Sequence, residues 1–365
     1  MMKPKILVTS AAGITGSPVA IQLLEKGYPV RAFVRKRDTR SQKLEAAGAE
    51  IFVGNLADSA DLSKAMKDIQ RAYFCAPWNS NMLDYGVAFA LAAQEAKLEV
   101  VVAMSQWLSD SQHPSIATRA HWLTDGILRG MSNVDVVTIT PGFFADNYML
   151  LLEPIAQLGI LPLPLGNGLN APPSNEDVAR VVVGALTDPA QHIGMTYRPT
   201  GPRLLSPDDI VGIFAKVLGR SVKYFPNVPD WMLPKAMSVF GLDSFTQAQV
   251  RYYVQDYQHN AFGIGAPTDV VRSVGGSEPE SFETITRRYV TERVETRNTF
   301  GNKMRALANF MKIPFTPVDN LDRLQQMWAP VVQSRFATES TAWLEGHDQA
   351  GDYRTASAIV SNPVI

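Results

Sequence analysis

The sequence has a single cysteine, Cys75, among its 365 residues. A disulfide needs two cysteines, so an internal disulfide is excluded, and so is a metal site built from several cysteine thiolates. The chain also lacks a Gly-x-Ser-x-Gly elbow, a His-Glu-x-x-His helix and a cluster of carboxylates with metal-ligand spacing. These absences argue against a serine hydrolase of the elbow type, and no metal is expected. Cys75 itself falls in a predicted strand and is interpreted as a core residue.

An excess of charge of either sign is also missing, since 34 basic and 35 acidic residues leave a net charge of -1. Nucleic-acid binding needs a basic face, and a polybasic anchor needs a basic cluster, so neither nucleic acid nor a membrane is expected as a partner. No apolar run approaches the roughly 18 residues of a membrane span, and none follows Lys5 as it would in a signal peptide. We therefore expect a cytoplasmic protein that acts on a small molecule as a monomer or a homodimer.

The first 140 residues do carry a regular pattern, in which apolar strand patterns alternate with amphipathic helix patterns. This alternation is typical of parallel βαβ units, so the fold class is expected to be α/β, with a Rossmann-type doubly wound parallel sheet. The predicted strands are Lys5–Ser10, Val30–Val34, Glu50–Val53, Arg71–Ala76, Glu99–Met104 and Asp135–Thr140. The predicted helices are Pro18–Lys26, Ser41–Ala47, Ser59–Lys67, Leu83–Lys97 and Ala117–Arg129.

Beyond Pro141 the pattern becomes less regular. A proline- and glycine-rich loop is predicted over Leu161–Gly168, and residues 220–290 are expected to be mainly helical with short strands. Two helices have clear end signals: Asn175–Thr187, with Ser174 or Asn175 as N-cap, and Pro207–Leu218, with Ser206 as N-cap and Gly219 as its stop. Further helical stretches are predicted over Arg297–Met311 and Asp319–Leu344.

These patterns divide the chain into three parts. Residues 1–150 form the predicted Rossmann domain, and residues 151–294 form a smaller region, interleaved with the sheet, that covers the substrate. Residues 295–365 form a helical extension of unknown role. Because the helices of the extension carry apolar residues, we expect it to pack against the smaller region or against a second subunit.

A glycine motif follows the first predicted strand and opens the first predicted helix. In a dinucleotide-binding turn, Gly13 lets the backbone approach a diphosphate, Gly16 lets the helix pack tightly on the strand, and the helix N-terminus binds the phosphates. Ser10 stands where the first glycine is expected, and we expect it to be extended. The residues predicted to bind the dinucleotide in this turn are Ser10, Ala11, Ala12, Gly13, Ile14, Thr15 and Gly16.

The residues at the end of the second strand indicate which dinucleotide binds. An NAD site usually has an acid there for the ribose hydroxyls, but this chain has Arg35, Lys36 and Arg37 before its first acid, Asp38. Positive charge suits a 2′-phosphate, and Arg35 can also stack on the adenine. The sequence therefore predicts NADP(H) as the cofactor.

Several segments together resemble the NmrA-like atypical short-chain dehydrogenase/reductases over roughly residues 3 to 290. The segments that carry the resemblance are Ile6–Gly16, Arg35, Gly54–Asp58, Pro141–Asn147, Leu186–Tyr197 and Val270–Glu283. The resemblance implies a Rossmann domain with a small C-terminal α/β region that closes over the nicotinamide. It also implies that Asn55 and Leu56 lie near the adenine, and Ala76 and Pro77 near the nicotinamide ribose. Phe143 and Phe144 would then flank the nicotinamide.

The catalytic residues of ordinary short-chain dehydrogenases are absent, because no tyrosine is followed four residues later by a lysine. Reductases of the family often have a helix lysine with an acid four residues later, and here His121 and Asp125 take those two positions. A histidine at this place resembles the triphenylmethane reductases and the type 2 NAD(P)H:quinone oxidoreductases of the family. His121 is therefore a candidate catalytic residue that Asp125 orients, or else a structural histidine paired with Asp125. Ser105 ends the fifth strand and faces the cofactor cleft, or it caps a turn.

Aromatic residues are predicted to surround the same crevice. Trp78, Trp107, Phe144 and Tyr148, together with Phe143, would form an apolar pocket, although each alone could equally be a core residue. Such a pocket favours a flat conjugated acceptor, and the leading hypothesis is an NADP(H)-dependent reductase of quinones or related aromatics. The alternative is a regulator that senses the dinucleotide without turnover. A nucleotide-sugar epimerase is disfavoured because it needs the missing tyrosine and lysine.

Overall fold

The computed structural model describes residues 3–328 and 334–348. In the first half of the chain, strands and helices alternate in the predicted order. The strands are β1 (Ile6–Val8), β2 (Val30–Val34), β3 (Glu50–Val53), β4 (Arg71–Phe74), β5 (Val100–Met104) and β6 (Asp135–Ile139). The helices are α1 (Gly16–Glu25), α2 (Thr39–Ala46), α3 (Ser59–Ala65), α4 (Met82–Glu95), α5 (Ile116–Arg129) and α6 (Ala145–Met149).

The second half of the chain contributes three short strands and ten helices to the described residues. The strands are β7 (Ile160–Leu161), β8 (Thr196–Tyr197) and β9 (Lys223–Tyr224). The helices are α7 (Leu152–Leu158), α8 (Asn175–Thr187), α9 (Pro207–Leu218), α10 (Met232–Val239), α11 (Ser244–Gln258), α12 (Val270–Ser273), α13 (Phe282–Glu292), α14 (Phe300–Lys312), α15 (Leu321–Met327) and α16 (Thr341–Asp348). Within residues 3–328 and 334–348, no helix has the length and apolar character that a membrane span requires.

The main sheet has seven parallel strands in the order β3-β2-β1-β4-β5-β6-β8. The chain builds outward from β1 through β2 to β3, and then crosses back to place β4 on the other side of β1. At such a reversal, the loops that follow neighbouring strands separate and leave a crevice at the carboxyl ends of the strands. The predicted doubly wound sheet is confirmed, and it places this crevice beyond β1 and β4.

Both faces of the sheet are covered by helices, which explains why its strands are apolar along their whole length. Along β5, Val100, Val102 and Met104 face the core beneath α1 and α8, whereas Val101 and Ala103 face the core beneath α3, α4 and α5. A third, aromatic-rich core lies around α7, α9, α11 and α13, and it also includes Trp107, Phe143 and Trp343.

Helices α8 and α9 begin and end at the residues predicted from the sequence, because capping residues mark their ends. The Ser174 hydroxyl accepts the Asp177 N–H at the start of α8, and Ser206 forms a capping box with Asp209 at the start of α9. Gly219 ends α9 in the left-handed conformation, at φ 64°.

Other predictions for the second half were wrong. Strand β8 was missed because only two of its residues pair with β6, too few to produce an apolar pattern. Leu161 belongs to β7, which pairs with β9, although residues 162–168 form the predicted loop. The helical stretch predicted over Asp319–Leu344 is not one helix, because α15 ends at Met327 and α16 begins at Thr341. Part of that stretch, residues 329–333, lies outside the described residues, as do residues 349–365 of the predicted extension.

The described part of the C-terminal extension packs against the rest of the chain at several places. Helix α14 packs on α7, and α15 packs on α11. Beyond them, the Ser340 hydroxyl donates to Asp110 at 2.6 Å, and the Trp343 indole donates to the Trp107 carbonyl at 3.0 Å. Contact with the smaller region agrees with our expectation. The contact with the loop after β5 was not foreseen.

Candidate active site

The turn between β1 and α1 is so tight that Gly16 has no room for a side chain and Gly13 has very little. A Cβ atom at Gly16 would lie 2.4 Å from the Ser10 carbonyl oxygen, and a Cβ atom at Gly13 would lie 3.0 Å from the same oxygen. The Gly13 N–H also donates to that carbonyl at 2.8 Å. The close approach of helix and strand that the motif predicted is therefore present, and α1 begins at Gly16 itself.

Ser10 differs from our expectation of an extended residue, which was wrong. Its φ is +47°, in the left-handed region that glycine prefers. The Ser10 hydroxyl donates to the Cys75 carbonyl at 2.7 Å, and the Thr9 hydroxyl accepts the Cys75 N–H at 2.8 Å. These bonds tie the turn to the end of β4, and they hold a residue with a side chain in a conformation that is costly for it.

The N-terminus of α1 is left open by its sequence. Among residues 3–328 and 334–348, no side chain caps α1, and its first turn has no acid. The two following helices differ, because Asp38 caps α2 and Asp58 caps α3. Free N–H groups at the positive end of a helix dipole suit a diphosphate. Around this end, Ala11 is buried, Ala12 and Thr15 are half-buried and Ile14 is exposed.

The charged residues after β2 differ in what they contact. Arg37 pairs with Glu45 at 2.8 Å, and Asp38 both caps α2 and pairs with Arg40 at 2.6 Å. The hydrogen bond from Arg40 lowers the pKa of Asp38 to about 2. Arg35 and Lys36 are exposed, and neither has an ion-pair partner in the part of the chain that the structure describes. The nearby acid is thus committed to a helix end, whereas two cations remain available for a phosphate.

The turns after β3 and β4 form the rest of the crevice edge. The Asn55 side chain is exposed, and its carbonyl oxygen accepts the Ala57 N–H at 3.1 Å, which fixes the turn. Leu56 is a core residue, only 6% exposed, so the predicted adenine contact is not available to its side chain. Ala76 and Pro77 follow β4 and are half-buried, as a ligand-lining position requires.

Ser105 and Asp125 form a buried pair beside the crevice. The Ser105 hydroxyl donates to the Asp125 carboxylate at 2.6 Å, and the Ser109 hydroxyl donates to the same oxygen at 3.3 Å. Burial raises the pKa of Asp125 to about 6, although the Ser105 hydrogen bond opposes this change. Asp125 therefore holds the loop after β5 in place. The predicted pairing of Asp125 with His121 is wrong, because the carboxylate faces Ser105 instead.

His121 stands at the edge of the crevice, half-buried, without a hydrogen bond to any described residue. Burial lowers its pKa to about 4, so the ring is neutral at pH 7. Its nearest aromatic neighbour is Trp78, with ring centroids 6.4 Å apart. His121 thus has a free imidazole N–H beside an aromatic surface, whereas the alternative of a histidine paired to Asp125 is not what the structure contains.

Two further aromatic residues pack against Trp78, and no sequence motif indicates either of them. The Phe245 and Tyr253 rings each contact the Trp78 ring edge-on, with centroids 6.0 Å away. Both belong to α11, which is more than 120 residues from His121 in the chain and carries no motif. We call Trp78, His121, Phe245 and Tyr253 the aromatic cluster; Trp78, His121 and Tyr253 keep exposed surface, whereas Phe245 is 7% exposed and supports them from the core.

Gln106 is a second residue that sequence reasoning missed. It follows Ser105, is only 6% exposed, and its side-chain carbonyl accepts the hydroxyl of Tyr253. The amide nitrogen of Gln106 has no hydrogen-bond partner among the described residues. A buried donor without an acceptor costs free energy, so it is a natural contact for a ligand.

The predicted pocket aromatics do not all line the crevice. Trp107 is 2% exposed, with its indole bonded to the Ala261 carbonyl at 2.9 Å, and Tyr148 is fully buried against Tyr257. Phe143 packs into the same aromatic core at 8% exposure. The structure places these three side chains in the core of the smaller region, because segments distant in sequence cover them. Trp78 and the half-buried Phe144 keep exposed surface.

This fold and this glycine turn define an α/β protein of the Rossmann dinucleotide-binding type. The model of the NmrA-like family matches residues 2–243. The chain therefore belongs to the NmrA-like family, which confirms the resemblance carried by its sequence segments.

Known proteins similar to this chain include reductases. An NAD(P)H azoreductase from Xenophilus azovorans is 26% identical over 232 residues, which cover 60% of this chain and 76% of the relative. An NADPH-dependent quinone oxidoreductase from Escherichia coli, solved with NADPH, has a TM-score of 0.68 at 19% identity and covers 78% of this chain and 99% of its own. The triphenylmethane reductase of a Citrobacter species has a TM-score of 0.68 at 18% identity, over 79% of this chain and 99% of its own. At these identities, the two structural matches show a shared fold.

Proposed function

We propose that this protein is an NADP(H)-dependent oxidoreductase that transfers hydride to an apolar, conjugated acceptor such as a quinone or an aromatic dye. The observation that carries the proposal is the aromatic cluster, in which Trp78, Phe245 and Tyr253 meet beside His121. The cluster adjoins the loops after β4 and β5, where a doubly wound sheet holds its ligands. Apolar aromatic walls with few polar groups suit a flat, apolar substrate. The names of the similar reductases support the same class of acceptor.

The residues around the β1 turn fit NADP(H). Gly13 and Gly16 leave room for the diphosphate, and the uncapped N-terminus of α1 supplies N–H groups to it. Arg35, with Lys36, is free to hold the 2′-phosphate. With the diphosphate at this turn, Asn55 would lie on the adenine side, and Ala76, Pro77 and the backbone at Phe143 would lie on the nicotinamide side. When bound, the cofactor supplies the hydride, and the protein orients the acceptor.

His121 and Gln106 are the donors that can orient an acceptor. With its pKa lowered to about 4, His121 donates one N–H without carrying a charge, so it does not repel a cationic dye. The unpartnered Gln106 amide nitrogen offers a second donor. Ser105 gives its only hydroxyl proton to Asp125, so it can accept a hydrogen bond from a ligand but has no proton left to donate. Any contact that the Ser105 hydroxyl makes in the site is therefore with a hydrogen-bond donor of the ligand.

The proposal is tested by steady-state oxidation of NADPH against a panel of quinones, azo dyes and triphenylmethane dyes. We expect at least one class to give turnover well above the background rate. If none does while NADPH still binds tightly, the protein is a dinucleotide-sensing regulator instead.

The cofactor preference is tested separately by binding titrations. Arg35→Glu should weaken NADPH binding and narrow the gap between NADPH and NADH, because the free cation is lost. Arg37→Gln is the matched control, since Arg37 already pairs with Glu45. Equal dissociation constants for the two cofactors in the unaltered protein would contradict the NADP(H) preference.

A further inference from the structure

Helix α14 packs against the protein through one narrow face. Ala306 is buried on that face, and Asn309 donates to the Glu153 carboxylate at 2.9 Å. Arg305 binds the same carboxylate at 2.9 Å. These contacts fix the orientation of α14 on α7, and thereby decide which of its side chains point away from the protein.

The opposite face of α14 is an apolar stripe. Its residues are spaced by four, three and four positions, which places them along one side of a helix. From Ala306, this spacing puts them about half a turn away from the packed face. The residues of the stripe, with their exposed fractions, are Phe300 (81%), Met304 (47%), Leu307 (41%) and Met311 (63%).

The apolar surface continues past the end of the helix. Phe315 follows α14 and is 85% exposed, and Trp231 is 54% exposed. Lys235 joins the two segments, because its ammonium lies 5.7 Å from the centre of the Trp231 ring and donates to the Pro314 carbonyl at 2.6 Å. Phe315 and Trp231 therefore belong to the same side of the molecule as α14.

The charge along this segment has one sign. From Arg297 to Val318 there are four cationic residues, Arg297, Lys303, Arg305 and Lys312, and no aspartate or glutamate. Arg305 pairs with Glu153, whereas Lys303 and Lys312 are exposed and have no ion-pair partner in the parts of the chain that the structure describes.

We propose that α14 binds the surface of an anionic lipid bilayer. Phe300, Met304, Leu307 and Met311 would lie among the headgroups and upper acyl chains, with Lys303 and Lys312 against the lipid phosphates. Exposed aromatic rings such as Phe315 and Trp231 are favourable at that depth. A second copy of this helix fits less well, because it would bring the same cations and no acids to the contact.

This proposal departs from our expectation that no membrane is a partner. That expectation rested on the net charge of the whole chain, which averages a basic helix with acidic residues elsewhere. Binding at the surface needs only a local patch and no spanning helix. It does not depend on the proposed reaction, although it would place the enzyme where apolar acceptors accumulate.

The test is sedimentation of the full-length protein with vesicles of equal parts phosphatidylglycerol and phosphatidylcholine, compared with pure phosphatidylcholine. We expect binding to the anionic vesicles that weakens with added salt. Phe300→Ser with Leu307→Ser should weaken it about tenfold or more through lost apolar burial. Lys303→Gln with Lys312→Gln should weaken it roughly 25-fold, since each cation near an anionic surface contributes a factor of about five. Leu91→Ser on α4 is the matched control, because Leu91 is 61% exposed but lies outside the stripe.

Four outcomes would overturn the proposal. The proposal is contradicted if none of the protein sediments with the anionic vesicles, or if the Phe300→Ser, Leu307→Ser variant binds them as well as the unaltered protein does. A dimer in light scattering that the same variant converts to a monomer, without vesicle binding, would make a second copy the occupant. Vesicle binding that occurs only after deletion of residues 349–365 would make that segment the cover of the stripe. Circular dichroism checks that each variant is folded.

Discussion

We propose that His121 acts as a neutral hydrogen-bond donor whose charge does not change between about pH 6 and 8. His121→Ala should lower kcat about 100-fold, near the low end for loss of a positioned polar group, because the hydride comes from the cofactor. NADPH affinity should stay nearly unchanged, and His121→Gln should restore part of the rate as a donor. Since burial lowers the pKa of His121 to about 4, the rate should not change through its titration between about pH 6 and 8. Full activity of His121→Ala with the best acceptor would show that the residue is structural.

The buried carboxyl group of Asp125 should affect the stability of the protein, and we predict how this effect depends on pH. Burial raises its pKa from 3.8 to about 6, so the folded protein binds this proton more tightly than the unfolded chain. Its contribution to stability is therefore greatest at low pH, falls as the pH rises from about 4 to about 6, and stays low above that. Asp125→Asn removes the charge but keeps an acceptor for Ser105, so at pH 7 it should be more stable than the unaltered protein, by at most about 3 kcal/mol.

The measurement for Asp125→Asn is thermal unfolding of both proteins across this pH range. The advantage of the variant should shrink as the pH falls towards 4, where the native carboxyl is protonated in the folded state. Because other carboxyl groups titrate in both proteins, only the difference between them is informative. A difference independent of pH would mean that Asp125 is not the titrating group.

At the scale of structural elements, we predict that the β1–α1 turn does not tolerate a side chain at Gly16. Gly16→Ala places a Cβ atom 2.4 Å from the Ser10 carbonyl oxygen, and that oxygen belongs to the backbone and cannot rotate away, so the turn must open. We expect a loss of about 1–3 kcal/mol in stability together with weaker NADPH binding. Gly212→Ala in α9 is the control, because no atom lies within 4 Å of its Cβ position among the described residues. The control should be neutral or stabilising by about 0.5–1 kcal/mol. Equal behaviour of the two variants in calorimetry would contradict the role given to Gly16.

The elements predicted best from the sequence are those whose ends are marked by residues within the element or next to it. Helices α8 and α9 were predicted to the residue because a serine, an acid and, for α9, a proline and a glycine mark their ends. Strand β8 has no such signal, since it exists through pairing with β6. The break between α15 and α16 was missed for a similar reason. An apolar pattern shows which residues are buried, but it does not show where the chain turns back.

At the scale of the whole molecule, the C-terminal segment packs against the loop after β5 and stabilises it. Trp343 is 5% exposed, stacks on His347 and donates to the carbonyl of Trp107, the second residue after Ser105. Trp343→Ala should therefore destabilise the protein by about 3–5 kcal/mol. The control is Trp122→Ala, because Trp122 is 43% exposed on α5 and should cost within about 0.5 kcal/mol. Denaturant unfolding of both variants checks this, and equal midpoints would show that the segment does not stabilise the loop.

The candidate site could be predicted from sequence only on its cofactor side. The turn from Ser10 to Gly16 and the cations after β2 are contiguous, so their roles follow from their neighbours in the chain. The acceptor side is assembled by tertiary packing. Phe245 and Tyr253 of α11 contact Trp78 there. Trp107 and Tyr148 instead lie in a core to which distant segments of the chain contribute. The aromatic residues in the sequence predicted that the site would be aromatic, but they did not show which of them form it.

The central claim is hydride transfer from NADPH to an apolar acceptor. It is tested most directly by single-turnover mixing of the NADPH-bound protein with the best acceptor of the panel, using NADPH with either hydrogen or deuterium at both C4 positions. We predict that oxidation of the cofactor depends on the acceptor, is slower with deuterium, and is slower again in His121→Ala with the isotope effect retained. If the bound NADPH is not oxidised by any acceptor of the panel, or if oxidation proceeds at the same rate with the protein absent, the claim is contradicted.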